Sequence, residues 1–123
     1  MPARDDASAL VTSGQWSGDP KDPFLIDLRK ATSGMRFPPG LGLPGTAFLA
    51  GATWEENIGE SQNFPRQRWI KLGSAFAFPI LVGAEVVAVM EFIHPTSRPR
   101  QQGVLDLAGV LGIQLGRVVE RMR

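Results

Sequence analysis

The sequence predicts an α+β domain, an antiparallel sheet built around one long hairpin with helices on both faces. Three observations carry this. Ser74–Ile93 (SAFAFPILVGAEVVAVMEFI) reads as two strands joined at Val82-Gly83-Ala84-Glu85, where Gly83 can take the positive φ of a tight hairpin turn. Both faces of that hairpin are apolar, so each needs a cover. The segments after Asp22, around Ala47 and from Gln101 onward carry the apolar spacing of helices that can supply it.

With Gly83 and Ala84 as the loop, Val82 faces Glu85. One hairpin face then carries Phe76, Phe78, Ile80, Val87 and Val89, with Glu91 falling among the phenylalanines. The other carries Ala75, Ala77, Pro79, Leu81, Ala88, Met90 and Phe92. Small residues on the second face admit a helix at close range, and the aromatics on the first suit the wall of a pocket. Pro79 has no N–H to give a ladder, so its strand is bulged or has a free side there.

The 123 residues make one domain, 1–123, large enough to bury roughly two-thirds of its unfolded surface. Charged residues are 20% and apolar ones 43%, and the net charge is +1. That balance gives no broad field to attract nucleic acid or an anionic membrane, so neither is an expected partner. The absence of cysteine excludes disulfides, thiolate catalysis, cysteine-bound zinc and thioether-linked cofactors, and no cofactor is expected. No unbroken apolar run reaches 18 residues, and Met1–Asp6 is polar rather than a leader, so the expected location is the cytoplasm.

In chain order, Ala9–Ser17 alternates weakly and ends in a Gly-Asp-Pro turn, a short strand. Asp22 before Pro23 is an N-cap followed by proline at the first helical position, and Phe24, Leu25 and Leu28 give the helix through Ala31 one apolar face. Ser33-Gly34 stops it, and Met35–Phe37 is a brief strand. Pro38–Gly45 (PPGLGLPG) fits G-x-G-x-x-G literally. Two prolines stand where a buried parallel strand should deliver the chain, so a dinucleotide loop is disfavoured. The reading is a tight loop that opens a short helix, with Pro44 in its first turn and Ala47, Phe48 and Leu49 packing inward. Trp54–Arg68 is polar, with Trp54, Ile58 and Phe64 spaced along it. Pro65 opens a short helix through Leu72 that sets Trp69 and Leu72 on one side. His94–Pro99 is a loop.

Gln101–Arg123 is a long helix. Val104, Ala108, Leu111, Leu115, Val118 and Met122 recur at alternating four- and three-residue steps, the seam of a coiled coil. Leu105, Leu107, Val110, Ile113 and Val119 lie outside that seam, so the helix is apolar over an arc wide enough for its own sheet and a partner.

Three motifs together resemble a GAF domain, the PAS-related small-molecule sensing fold of bacterial signalling proteins. RFPPGLGLPGTAF resembles the family's glycine-rich segment before a helix. Trp54 with Asn63–Arg66 (NFPR) is similar to its W-I-x-D … F-x-R stretch. SAFAFPILVGAEVVAVMEF with IQLGRVVER looks like its central hairpin and closing helix. The likeness covers residues 10–123 and is closest to modules of sensor histidine kinases and diguanylate cyclases. Family members begin with a helix and a first strand, whereas this chain starts at what resembles the second strand, so those elements are cut away or absent. The Asn-Lys-x-Phe-Asp type signature of cyclic-nucleotide binders is not found, and neither are the cysteine of bilin-binding members and the cysteines of methionine-sulfoxide-reducing ones, so no named ligand carries over.

No nucleophile–base pair or metal-ligand cluster is visible, and enzymatic activity is not expected. His94, the only histidine, has no G-x-S-x-G elbow to serve and reads as an exposed loop residue. Glu91 is different, because a carboxylate among phenylalanines must be paired, solvated or neutral. It is either tied to a structural partner such as an arginine or faces a ligand. The expected ligand-binding set is Glu91, Phe76, Phe78 and Val89 from the hairpin, with Trp54, Phe64 and Trp69 overhanging it. Two readings follow. The first is a sensor that binds a small molecule and signals to a kinase or cyclase output domain through a homodimeric helix at Val104, Ala108, Leu111, Leu115, Val118 and Met122. The second is a ligand-free dimerisation scaffold whose own aromatics fill the pocket.

Overall fold

A computed structural model describes residues 2–4, 9–12, 16–68 and 71–122. Five strands form one sheet in the order β2-β1-β5-β4-β3. They are β1 (Pro2–Arg4), β2 (Leu10–Thr12), β3 (Thr53–Glu55), β4 (Ser74–Val82) and β5 (Glu85–His94). Three α-helices accompany them: α1 (Pro23–Thr32), α2 (Gly42–Ala50) and α3 (Gln102–Arg121). All strand pairings are antiparallel. Pro2–Arg4 inserts between β2 and β5, so a short strand precedes Leu10–Thr12.

The local signals act as their chemistry requires. The Asp22 side chain accepts from the Phe24 N–H at 3.0 Å, Pro23 occupies the first turn of α1, and Leu28 and Thr32 are buried. Leu10 and Phe37 bridge backbone to backbone at 2.9 and 2.8 Å, which places the brief strand at Met35–Phe37 as a single bridge. In α2, Ala47 is buried and Phe48 packs on the core, but Leu49 is 68% exposed and does not pack inward as expected. Leu49 lies on the far side of a helix that has one layer to cover. Pro65–Arg68 is only a 3-10 turn, and Leu72 beyond it is buried. Trp69 lies outside the described residues.

The hairpin turns at Gly83, which has φ +60°, with Val82 opposite Glu85. Beyond the turn its faces differ from those expected. Ile80 pairs with Ala88 and Leu81 with Val86, so Val87 is an extra residue on β5. This bulge sits beside Pro79, which has no N–H to donate. One inserted residue moves everything after it to the opposite face. Phe76, Phe78 and Ile80 consequently share a face with Ala88, Met90 and Phe92, while Ala75, Ala77 and Pro79 share theirs with Val89, Glu91 and Ile93.

The alanine-bearing face carries the main core. Leu10, Leu28, Phe37, Ala47, Phe64 and Leu72 cluster there with Ala75, Ala77 and Val89. Helix α3 covers the opposite face over β4, where Phe78, Leu105 and Ala108 are buried. Its close approach depends on glycine. A Cβ on Gly112 would collide with the Pro79 carbonyl oxygen, and one on Gly116 with that of Leu81. By length and mean hydropathy the 20 residues of α3 could also cross a membrane, although Asp106 and Arg117 interrupt their apolar run.

Candidate functional site

The residues expected to line one pocket are divided by the sheet. Trp54, Phe76 and Phe78 lie on the α3 face. Trp54 stacks on Phe76 with centroids 5.1 Å apart, Phe76 on Phe92 at 4.9 Å, and Phe78 on Phe92 at 6.2 Å. This ladder crosses β3, β4 and β5, and the Trp54 indole N–H donates to the Arg98 carbonyl at 3.2 Å. Glu91, Val89 and Phe64 are buried on the other face. Glu91 thus lies opposite Ala77, not across from Phe76, because of the bulge.

There Glu91 has a structural partner. Arg66 grips it with both terminal nitrogens: Nη1 donates to Oε1 at 2.8 Å, and Nη2 closes the second arm on Oε2. Both side chains have no exposed surface. The guanidinium lies between two rings, 5.2 Å from the Phe37 centroid and 4.8 Å from that of Phe64, where the ring faces attract a cation. Thr32 completes the set. Its hydroxyl donates to the Leu28 carbonyl at 2.8 Å and accepts from Arg66 Nη1 at 3.3 Å. Phe37, Phe64 and Arg66 thus surround the Glu91 carboxylate on the core side of the sheet.

The NFPR motif also holds the glycine-rich loop. Asn63 accepts from the Gly42 N–H at 2.8 Å and donates to the Gly40 carbonyl at 2.9 Å. One asparagine thereby satisfies a backbone donor at the start of α2 and an acceptor before it. The loop is closed on protein groups, as the structural reading of its glycines expects.

At the end of β5, His94 is half-buried rather than exposed. Its Nε2 lies 2.9 Å from Arg98 Nη2 and its Nδ1 2.9 Å from Thr96 Oγ1. The Thr96 backbone N–H donates to the same Nδ1 at 3.1 Å. Glu56 fastens the same loop, taking Ser97 Oγ and the Arg98 N–H on its carbonyl and the Arg100 N–H on Oε1.

An open cleft of about 640 Å³ lies between α1 and the last residues of β5. Trp16, Leu25 and Leu28 form one wall, Met90–His94 the other, and Asp19 and Asp22 line its mouth. Of the expected ligand-binding residues that are described, only Glu91 borders it. Sequence reasoning missed this cleft, since its walls come from segments far apart in the chain that no motif links. Among the described residues, no group of three or more His, Asp or Glu side chains could hold a metal.

The overall fold matches solved structures. The A. aeolicus nlh2 GAF domain, solved in an inactive state, superposes with a TM-score of 0.64 at 18% identity, covering 99% of this chain and 72% of that one. The chain has the GAF fold. A protein of Burkholderia vietnamiensis described as a GAF sensor aligns with a TM-score of 0.59 at 16% identity, over 91% of this chain and 61% of its own. A hypothetical protein from S. aureus gives 0.50 at 19% identity, over 80% of each chain. No family model and no curated protein matches the sequence. At these identities the likeness is one of fold.

Proposed function

We propose that this GAF-fold domain is a regulatory module of bacterial signal transduction that acts in the cytoplasm through α3. The observation that carries the reading is the outer side of that helix. Leu107, Val110, Leu111, Ile113, Val118 and Met122 are large, apolar and 44–82% exposed, while the opposite side of the helix is seated on β4. The expected seam needs one correction. Ala108 is buried against the sheet, and Leu107, 69% exposed, takes its place. Val104, Leu107, Leu111, Leu115, Val118 and Met122 then form a continuous stripe flanking the sheet contact. Its occupant is the α3 helix of a second copy, in a parallel pair that passes a change to an output kinase or cyclase domain.

Sedimentation of the purified chain tests this. The reading expects a dimer, and for the Leu107→Glu/Leu111→Glu variant a folded monomer whose melting temperature no longer depends on protein concentration. A monomer for the unsubstituted chain at high micromolar concentration would overturn it.

A second reading, the small-molecule sensor, draws support from the cleft beside α1, a volume suited to a metabolite. Mass spectrometry of molecules that co-purify with the protein tests that reading separately. No catalytic role is proposed.

A further inference from the structure

Two successive valines stand at the irregular point of the β4–β5 ladder. Ile80 faces Ala88 and Leu81 faces Val86, so Val87 is left over. Only the pairs Leu81–Val86 and Val82–Glu85 separate it from the turn. There Gly83 has φ +60° and Ala84 a φ that is not positive, as in a two-residue loop of type II′. The extra residue has a second place to go. Moved into the turn, it lengthens the loop to Gly83-Ala84-Glu85, the next commonest hairpin length. Val86 then faces Val82, Val87 takes the place opposite Leu81, and Ile80–Ala88 and all pairs beyond it stay as they are. The chemistry of the exchange is nearly even. Val86 packs on the core beside Leu81, Val87 would offer the same side chain there, and both are half-buried. Glu85 is exposed in the strand and would be exposed at the tip. Against the longer loop stands its third residue, which needs a positive φ and is glutamate rather than glycine. That makes it the minor form.

We propose that the end of this hairpin is a two-register switch. The extra residue moves between position 87 and the turn, and the move shifts the seat of the C-terminal half of α3. The contact that carries it is backbone on backbone. A Cβ on Gly116 would run into the Leu81 carbonyl, so helix and strand touch at the pair that changes partner. A bulge sharpens the local twist of a strand pair, and its loss turns the Leu81 carbonyl relative to the helix. With no side chain at Gly116 to cushion the change, the helix itself is displaced. The residues that follow take that displacement, among them Val118 and Met122 of the outer stripe. The regulatory meaning of the switch rests on the α3 reading, whereas the exchange itself is a property of one chain. Nuclear magnetic resonance can therefore find it absent while sedimentation still finds a dimer, or the reverse.

Relaxation dispersion on the amides and methyls of the purified chain, which covers microseconds to milliseconds, tests the switch. Exchange is expected at Val82–Ala88 and at Gly116–Val119, with a minor form of about 1–10%. Glu85→Gly supplies the positive-φ residue of the longer loop, and Gly83→Ala strains the shorter one. Each should raise the minor form at least about fivefold. In both variants a contact between the α-protons of Leu81 and Val87 should grow at the expense of that between Leu81 and Val86. Deleting Val87 leaves a two-residue loop with no residue to spare, and should abolish the exchange. The proposal is overturned if the parent and Glu85→Gly both show the single register with Val87 left over. It is equally overturned if the exchange persists without Val87, or if the second register forms with no change at Gly116. Should the deletion not fold, the two loop variants decide alone.

Discussion

Arg66 and Glu91 stand 25 residues apart in the chain and meet as a two-armed ion pair with no exposed surface, tying the segment after the glycine-rich loop to the centre of the sheet. Removing both charges from water costs several kcal/mol, and the recovery depends on geometry that either partner alone lacks. Glu91→Leu leaves the arginine buried without a counter-charge and should lower stability by about 3 kcal/mol. Arg66→Met should cost a similar amount. The double variant Arg66→Met/Glu91→Leu, apolar throughout, should recover much of that loss. Chemical denaturation of the three variants measures it. Losses that simply add would show that the pair is not coupled.

How far these features are legible depends on their distance along the chain. The cap at Asp22, the turn at Gly83 and the breadth of the apolar arc on α3 are local, set by residues within one turn of each other, and they fold as read. Glu91 shows where local reading stops. Its need for a partner follows from its apolar neighbours, but its face depends on whether β5 holds an extra residue, and Val87 is an ordinary strand residue with nothing to mark it. Pro79 signals that pairing is disturbed without saying which strand absorbs the disturbance. Arg66 could not be named as the partner because no spacing rule joins a 3-10 turn to a strand 25 residues on. The cleft beside β5 is less legible still, its walls coming from α1 and β5, far apart in the chain.

Glycines in α3 should respond with opposite signs. Alanine is favoured over glycine in a helix interior by about 1 kcal/mol. At Gly109 an added methyl would meet nothing within 4 Å, so Gly109→Ala should stabilise the domain by up to that amount. At Gly116 the same methyl meets the Leu81 carbonyl, and α3 must lift from β4 to admit it. Gly116→Ala should therefore destabilise by about 1–3 kcal/mol. Thermal melting of the two variants decides it. A stabilised Gly116→Ala would show that α3 does not sit this close to the sheet.

Leu107 and Ala108 are neighbours on α3 and should separate its two roles. Ala108 is 5% exposed and packed on the sheet, whereas Leu107 is 69% exposed and stands on the outer stripe. A charge at 108 enters the layer beside Phe78 and Leu105 without a partner, so Ala108→Glu should lower stability by several kcal/mol. Leu107→Glu removes an exposed apolar contact and should leave the monomer's stability within about 0.5 kcal/mol of the parent, as surface changes do. If α3 pairs with a second copy, Leu107→Glu should instead weaken association. Denaturation at low protein concentration reads the first effect, and sedimentation across a concentration series reads the second. Were both variants to unfold alike, the outer stripe would belong to the domain's own core, and the pairing of α3 would lose its basis.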